Sequence, residues 1–109
     1  MSDIEEIINK LVEFRNQRDW EQFHNSKDLA LAISVEANEL LELFLWKQPE
    51  EADIEKIRQE LADVFAFAFL LAQKHGFDVK EIVLEKINAN AEKYPVEKAK
   101  GTAKKYNEL

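Results

Sequence analysis

No cysteine occurs in the 109 residues, which excludes a disulfide framework and any thiolate metal site and fits a reducing, cytoplasmic setting. Glycine and proline are scarce as well, two of each, a composition that suits helices rather than a turn-rich fold. Long uncharged apolar runs are missing. The two most apolar stretches, Leu29 to Trp46 and Leu61 to Ala72, contain carboxylates or are too short to cross a membrane. Positive charge is in deficit: the formal net charge is -7, which argues against a fold-wide basic surface and against a stable nucleic-acid partner. The opening MSDIEEIINK has no basic stretch followed by an apolar one, so no secretory signal is read there. Repeats and low-complexity blocks are also absent.

What the chain does have is 46% hydrophobic and 34% charged residues, the balance of a folded helical domain. Its length suits one domain, 1–109, with a helical core over about 3–95 and a lysine-rich tail over 96–109. Four helices are predicted. The first runs from about Asp3 to Trp20, opened by a capping box of Ser2 and Glu5, with Ile4, Ile7, Ile8, Leu11 and Phe14 at helical intervals. The second begins after Asn25 or Ser26 and continues to about Lys47, before Pro49. A third covers about Glu50 to Lys74 and ends at Gly76. Asp78 and Glu81 open the fourth, which fades near Tyr94 and Pro95.

Short connections predict antiparallel neighbours, hence an all-α, antiparallel four-helix bundle-like protomer. Helices two and three are apolar on more than one side, and so short a chain has little else to cover them. A dimer or a dimer of dimers is therefore expected.

Carboxylates embedded in those two apolar helices carry the chemical signal. Glu36 and Glu39 are three residues apart, as are Glu60 and Asp63, so each pair shares a helix face. Antiparallel packing can bring the faces together, and four carboxylates so gathered repel one another unless a hard cation sits among them. Oxygen donors suit magnesium, with manganese as a substitute, and no Glu-x-x-His pattern is present for a di-iron bundle. Glutamates on helices are often only solvated surface. Asp63 is the more telling residue, because it is a poor helix former flanked by Leu61, Ala62, Val64 and Phe65.

The fourth helix offers Lys86, Asn90 and Tyr94 at four-residue spacing with Lys93 beside them, a set able to meet phosphate, sugar or base. Lysines on such a face are commonly just solvated. Among the aromatics, Trp46 near the end of helix two and His24 in the loop before it stand where a pocket edge would be.

Taken in order, these segments resemble the MazG-like, all-alpha nucleoside triphosphate pyrophosphohydrolases, especially their compact dCTP-pyrophosphatase-like branch. The resemblance covers nearly all of Asp3 to Pro95. It rests on RDWEQFH at Arg18 to His24, EANE at Glu36 to Glu39, ELFLWK at Glu42 to Lys47, ELAD at Glu60 to Asp63 and KINANAEKYP at Lys86 to Pro95. It implies magnesium ligation and catalysis by Glu36, Glu39, Glu60 and Asp63. It further implies a base and sugar pocket lined by His24, Trp46 and Phe67 with Trp20 and Phe23 nearby, and a substrate-binding end of the fourth helix at Lys86, Asn90, Lys93 and Tyr94. Two departures bear on substrate preference. The segment after His24 reads Asn25-Ser26-Lys27-Asp28-Leu29 without the proline common in relatives, and Phe67 stands where some relatives carry tyrosine.

The expected reaction is magnesium-dependent hydrolysis of a nucleoside triphosphate, dCTP or a modified relative leading, to the monophosphate and pyrophosphate. Its purpose would be house-cleaning of the nucleotide pool in the cytoplasm. The alternatives are a pyrophosphohydrolase for another canonical or damaged base, and a non-catalytic helical module that senses nucleotides or drives oligomerisation.

Overall fold

Ser2 begins the first helix as the spacing predicts: its hydroxyl accepts from the Glu5 amide, and the Glu5 carboxylate accepts from the Ser2 amide. In the computed structural model, which describes all 109 residues, this helix, α1, spans Asp3–Gln17. It is followed by α2 (Ser26–Glu42), α3 (Ile54–Lys74), α4 (Val79–Lys93) and a single turn, α5 (Val96–Ala99). Three 3₁₀ turns, Glu21–Phe23, Pro49–Glu51 and Tyr106–Glu108, complete the regular structure, and there is no strand.

Caps explain most boundaries. Asn25 accepts from the Asp28 amide, Asp53 from the amides of Glu55 and Lys56, and Asp78 from that of Glu81. At the end of α3, Gly76 takes a φ of +69°, which a residue without a Cβ adopts freely.

Helices one and two end earlier than the pattern suggests. Asp19 adopts a left-handed φ of +54°, and the Trp20 amide turns back to the Arg15 carbonyl, so α1 stops at Gln17. After Glu42 the chain continues through i→i−3 turns at Leu43, Phe44 and Leu45, and Trp46 takes a φ of +60°. Third-helix geometry starts late as well, because Pro49 sets up a separate turn and Asp53 is the true cap.

Two compact units result, Met1–Phe77 and Asp78–Leu109. In the first, α2 packs along α3 and α1 against α3. The α2–α3 pair is antiparallel: Ser26 at the start of α2 hydrogen-bonds His75 at the end of α3 at 2.8 Å, while Glu36 further along α2 meets Glu60 near the start of α3. Leu29 of α2 is the best-buried side chain at 2% exposure, with Leu70 and Ala72 of α3 and Ala52 beside it in burial. That core is small. Ile7, Leu61 and Phe65 remain exposed, as the apolar excess of the sequence anticipates.

In the second unit, the lysine-rich tail carries α5 and the Tyr106–Glu108 turn. Tyr106 packs edge-on against Tyr94 with ring centres 6.2 Å apart, and the Lys93 ammonium lies 5.1 Å above the Tyr106 ring. Helix α4 leaves Val83, Leu84 and Ile87 exposed.

Candidate metal centre and adjoining pocket

Three-residue spacing on each of two antiparallel helices is what assembles the acidic cluster. One carboxylate oxygen each from Glu36, Glu60 and Asp63 lies within 4.8 Å of the others. Burial raises the Glu36 carboxyl to about 7, helped by a shared proton and then the charge of Glu39, and by the charges of Asp63 and Glu60. Glu60 is raised for the same leading reason, burial, followed by Glu39, Asp63 and Glu42. Glu39 thus belongs to the same electrostatic group, although it is exposed and stands outside the closest three.

One oxygen of Glu36 (Oε2) and one of Glu60 (Oε2) are buried without any hydrogen-bond partner. Unpaired buried acceptors that repel one another are unfavourable alone and fit a hard divalent cation, which prefers several carboxylate oxygens. The donor set fits magnesium or manganese equally, since both take oxygen ligands.

Beside the cluster opens a cavity of about 270 Å³ whose walls include Phe14, Arg15, Trp20, His24, Phe67 and Asp63. Asp63 therefore belongs to both the cluster and the pocket. Trp20 stands edge-on to Phe14 at 5.8 Å, and His24 edge-on to Phe67 at 6.3 Å. His24 Nδ1 is buried without a partner. Burial, and then the Arg15 charge, lower the His24 pKa below its ordinary 6.5, which favours the uncharged ring.

Of the other residues singled out by sequence, Phe23 is 61% exposed and Trp46 94% exposed, and neither lines this cavity. Lys86, Asn90, Lys93 and Tyr94 belong to the second unit: the first two are exposed on α4, and the last two meet Tyr106.

Sequence reasoning assigned no site role to Arg15, and Phe14 entered only as part of the apolar stripe of α1. A signal for Arg15 existed, because Ile4, Ile8, Leu11 and Arg15 form one stripe of α1 and a charge there is out of place on an apolar face.

Residues 31–109 match the MazG-like family. Among known proteins, the bovine (Bos taurus) dCTP pyrophosphatase 1 is 37% identical over 114 residues, an alignment covering 97% of this chain and 68% of the relative. The human (Homo sapiens) dCTP pyrophosphatase 1 is 36% identical, with 97% and 67% covered. A crystal structure of a pyrophosphatase from Archaeoglobus fulgidus superposes with a TM-score of 0.79 at 33% identity, covering 87% of this chain and 94% of that one. With an all-helical fold and a paired-carboxylate site, the chain belongs to the MazG-like family. Within that family it falls in the dCTP-pyrophosphatase-like branch.

Proposed function

We propose that this nucleoside triphosphate pyrophosphohydrolase acts with magnesium on dCTP or a modified dCTP-like nucleotide, releasing the monophosphate and pyrophosphate. The observation that carries the reading is the acidic cluster with two orphaned buried oxygens, set against an aromatic pocket wide enough for a base.

Glu36, Glu60 and Asp63, with Glu39 beside them, hold the cation in this reading, and a divalent ion bound there supplies neutralisation of triphosphate charge. Glu39 is assigned to orienting or deprotonating the attacking water, which its exposure beside Glu36 supports. Trp20, His24 and Phe67 enclose the base. Phe23, Trp46, Lys86, Asn90, Lys93 and Tyr94 are assigned to substrate binding on the family pattern, the lysines meeting phosphate charge. The family match runs across both compact units, which supports treating 1–109 as a single functional domain.

Purified protein incubated with magnesium and a panel of ribo- and deoxynucleoside triphosphates is expected to release monophosphate and pyrophosphate, with dCTP-like substrates turned over fastest and all activity lost in EDTA. Preference for another base would replace dCTP as the substrate. Bound metal and nucleotide without any product would leave the sensing or oligomerisation reading in its place.

The apolar surface calls for a partner. A groove lined by Ile7, Leu11, Phe65 and Phe69 is open to solvent, and an apolar patch of that kind in a chain of this size is normally covered. We therefore propose a homodimer or a dimer of dimers, with α4 joining in a four-helix arrangement. Sedimentation velocity at micromolar concentration is expected to give two or four times the chain mass, and a stable monomer would remove this proposal. No helix is long and apolar enough to cross a membrane. A cytoplasmic, house-cleaning role is proposed on that fact, the absence of cysteine and the nucleotide substrate.

A further inference from the structure

Arg15 is the one charged side chain buried in the fold, at 7% exposure. Its compensation is incomplete. Nε donates to Asn16 Oδ1 at 3.1 Å and Nη1 to Gln73 Oε1 at 3.3 Å, while Nη2 comes only to 3.7 Å from a Glu21 carboxylate that is itself exposed. Two of the five guanidinium N–H groups are thus occupied, and the rest have no close acceptor. Those N–H groups are donors that the acceptors of a ligand can take.

The same guanidinium lines the cavity that His24 lines, where the imidazole Nδ1 is buried and unpartnered. Besides the Asp63 carboxylate on its acidic side, the pocket therefore presents a donor-only fork and one imidazole nitrogen able to accept in its Nε2–H tautomer. Both features need a ligand with adjacent acceptors and a donor. Cytosine has that order along its pairing edge: O2 and N3 accept, and the 4-amino group donates. Thymine and uracil place a donor at N3 and an acceptor at position 4, so they oppose both groups.

We propose that Arg15 is a specificity-determining residue that reads the O2 and N3 acceptors of a cytosine base in this pocket, with His24 Nδ1 accepting from the 4-amino group. The inference rests on the pyrophosphohydrolase reading of the neighbouring acidic cluster and deepens it to a base and an edge. A purely structural role is the competing account, since Arg15 also ties α1 to α3 through Gln73.

Steady-state kinetics separate the two. KM and kcat would be measured with magnesium for dCTP, 3-deaza-dCTP and dTTP, using the wild-type protein, Arg15→Met and Arg15→Lys. In 3-deaza-dCTP a C–H replaces the N3 acceptor and little else changes. The wild type is expected to show a KM for 3-deaza-dCTP raised about tenfold over dCTP, because one arm of the bidentate contact loses its acceptor and the donor facing it is left unpaired. Arg15→Met raises KM for dCTP by that factor or more with kcat little altered, costs distinctly less on 3-deaza-dCTP, where only the O2 contact is left to lose, and narrows the preference over dTTP. Arg15→Lys keeps the charge but not the fork and restores only part of the loss.

A wild type that treats dCTP and 3-deaza-dCTP alike overturns the proposal without needing any variant to fold. Equal losses on both nucleotides in Arg15→Met also overturn it, in favour of the structural tie. Absence of turnover of any triphosphate by the wild type is a different failure, which brings down the enzymatic reading and this inference with it.

Discussion

Replacing Asp63 by alanine is expected to abolish metal-dependent nucleotide turnover while the protein stays helical. Asp63 contributes an oxygen to the three-carboxylate cluster and also borders the pocket, so on the proposed reading its loss removes a cation ligand where substrate and metal would meet. Loss of a single preorganised donor to a developing charge typically lowers kcat by about 10²–10³, and a direct ligand should lie at the upper end of that scale or beyond it. Stability moves the other way. Alanine is the best helix former and aspartate a poor one, a difference of about 0.5 kcal/mol inside a helix such as α3, and removing a negative charge relieves repulsion on Glu36 and Glu60. Circular dichroism at 222 nm together with kcat for dCTP checks both halves. Wild-type-like turnover in the variant would take Asp63 out of the mechanism.

The metal-free protein should become less stable as pH rises from about 4.5 through about 7, the reverse of ordinary acid denaturation. Below 4.5 the Glu36 carboxyl is protonated whether the chain is folded or not. Between 4.5 and about 7 the unfolded chain releases that proton, while the folded chain retains it because burial and Glu39 disfavour the charge. The folded state then binds more protons, so stability falls with rising pH across this window, and Glu60 acts in the same direction. Thermal melts in EDTA at stepped pH test the sign. Magnesium should reverse the loss above pH 7, because on the proposed reading it binds the ionised cluster in the folded state alone. At about a hundred times its dissociation constant that linkage is worth about 2.7 kcal/mol, which for a chain near 100 residues raises Tm by about 10 °C or more. In Glu36→Gln the pH dependence should flatten, and the gain from magnesium should shrink sharply. A metal-free melting temperature that climbs steadily over the same window would contradict the assigned burial of these carboxyls.

Much of the site was legible beforehand because its signals are local. The capping box of Ser2 and Glu5, the cap at Asn25 and the left-handed Gly76 each depend on residues within one turn, and the structure has them where the pattern put them. Pairing of Glu36 with Glu39 and of Glu60 with Asp63 follows from the helical repeat alone. Their convergence needed one further step, antiparallel packing of α2 on α3, which the apolar excess of both helices made the natural arrangement. Less legible were the positions set by breaks in the repeat. Trp20 reaches the pocket because α1 stops at Gln17 and Asp19 turns left-handed, and Trp46 stands out in solvent because the chain unwinds after Glu42.

By itself, then, the sequence determined the helical class, the segments that form helices, the acidic pairs and the family pattern, since all of these are written in short-range spacing and residue type. Tertiary structure alone decided which carboxylate oxygens are buried and unpartnered, that Glu39 stands apart from the closest three, and that Arg15 is enclosed beside His24. Burial is a property of what packs across from a residue, and the chain reads only along itself. A charge on an apolar stripe can be seen in α1, but whether it is solvated or walled in depends on α3 and on the turn at Glu21–Phe23 lying against it.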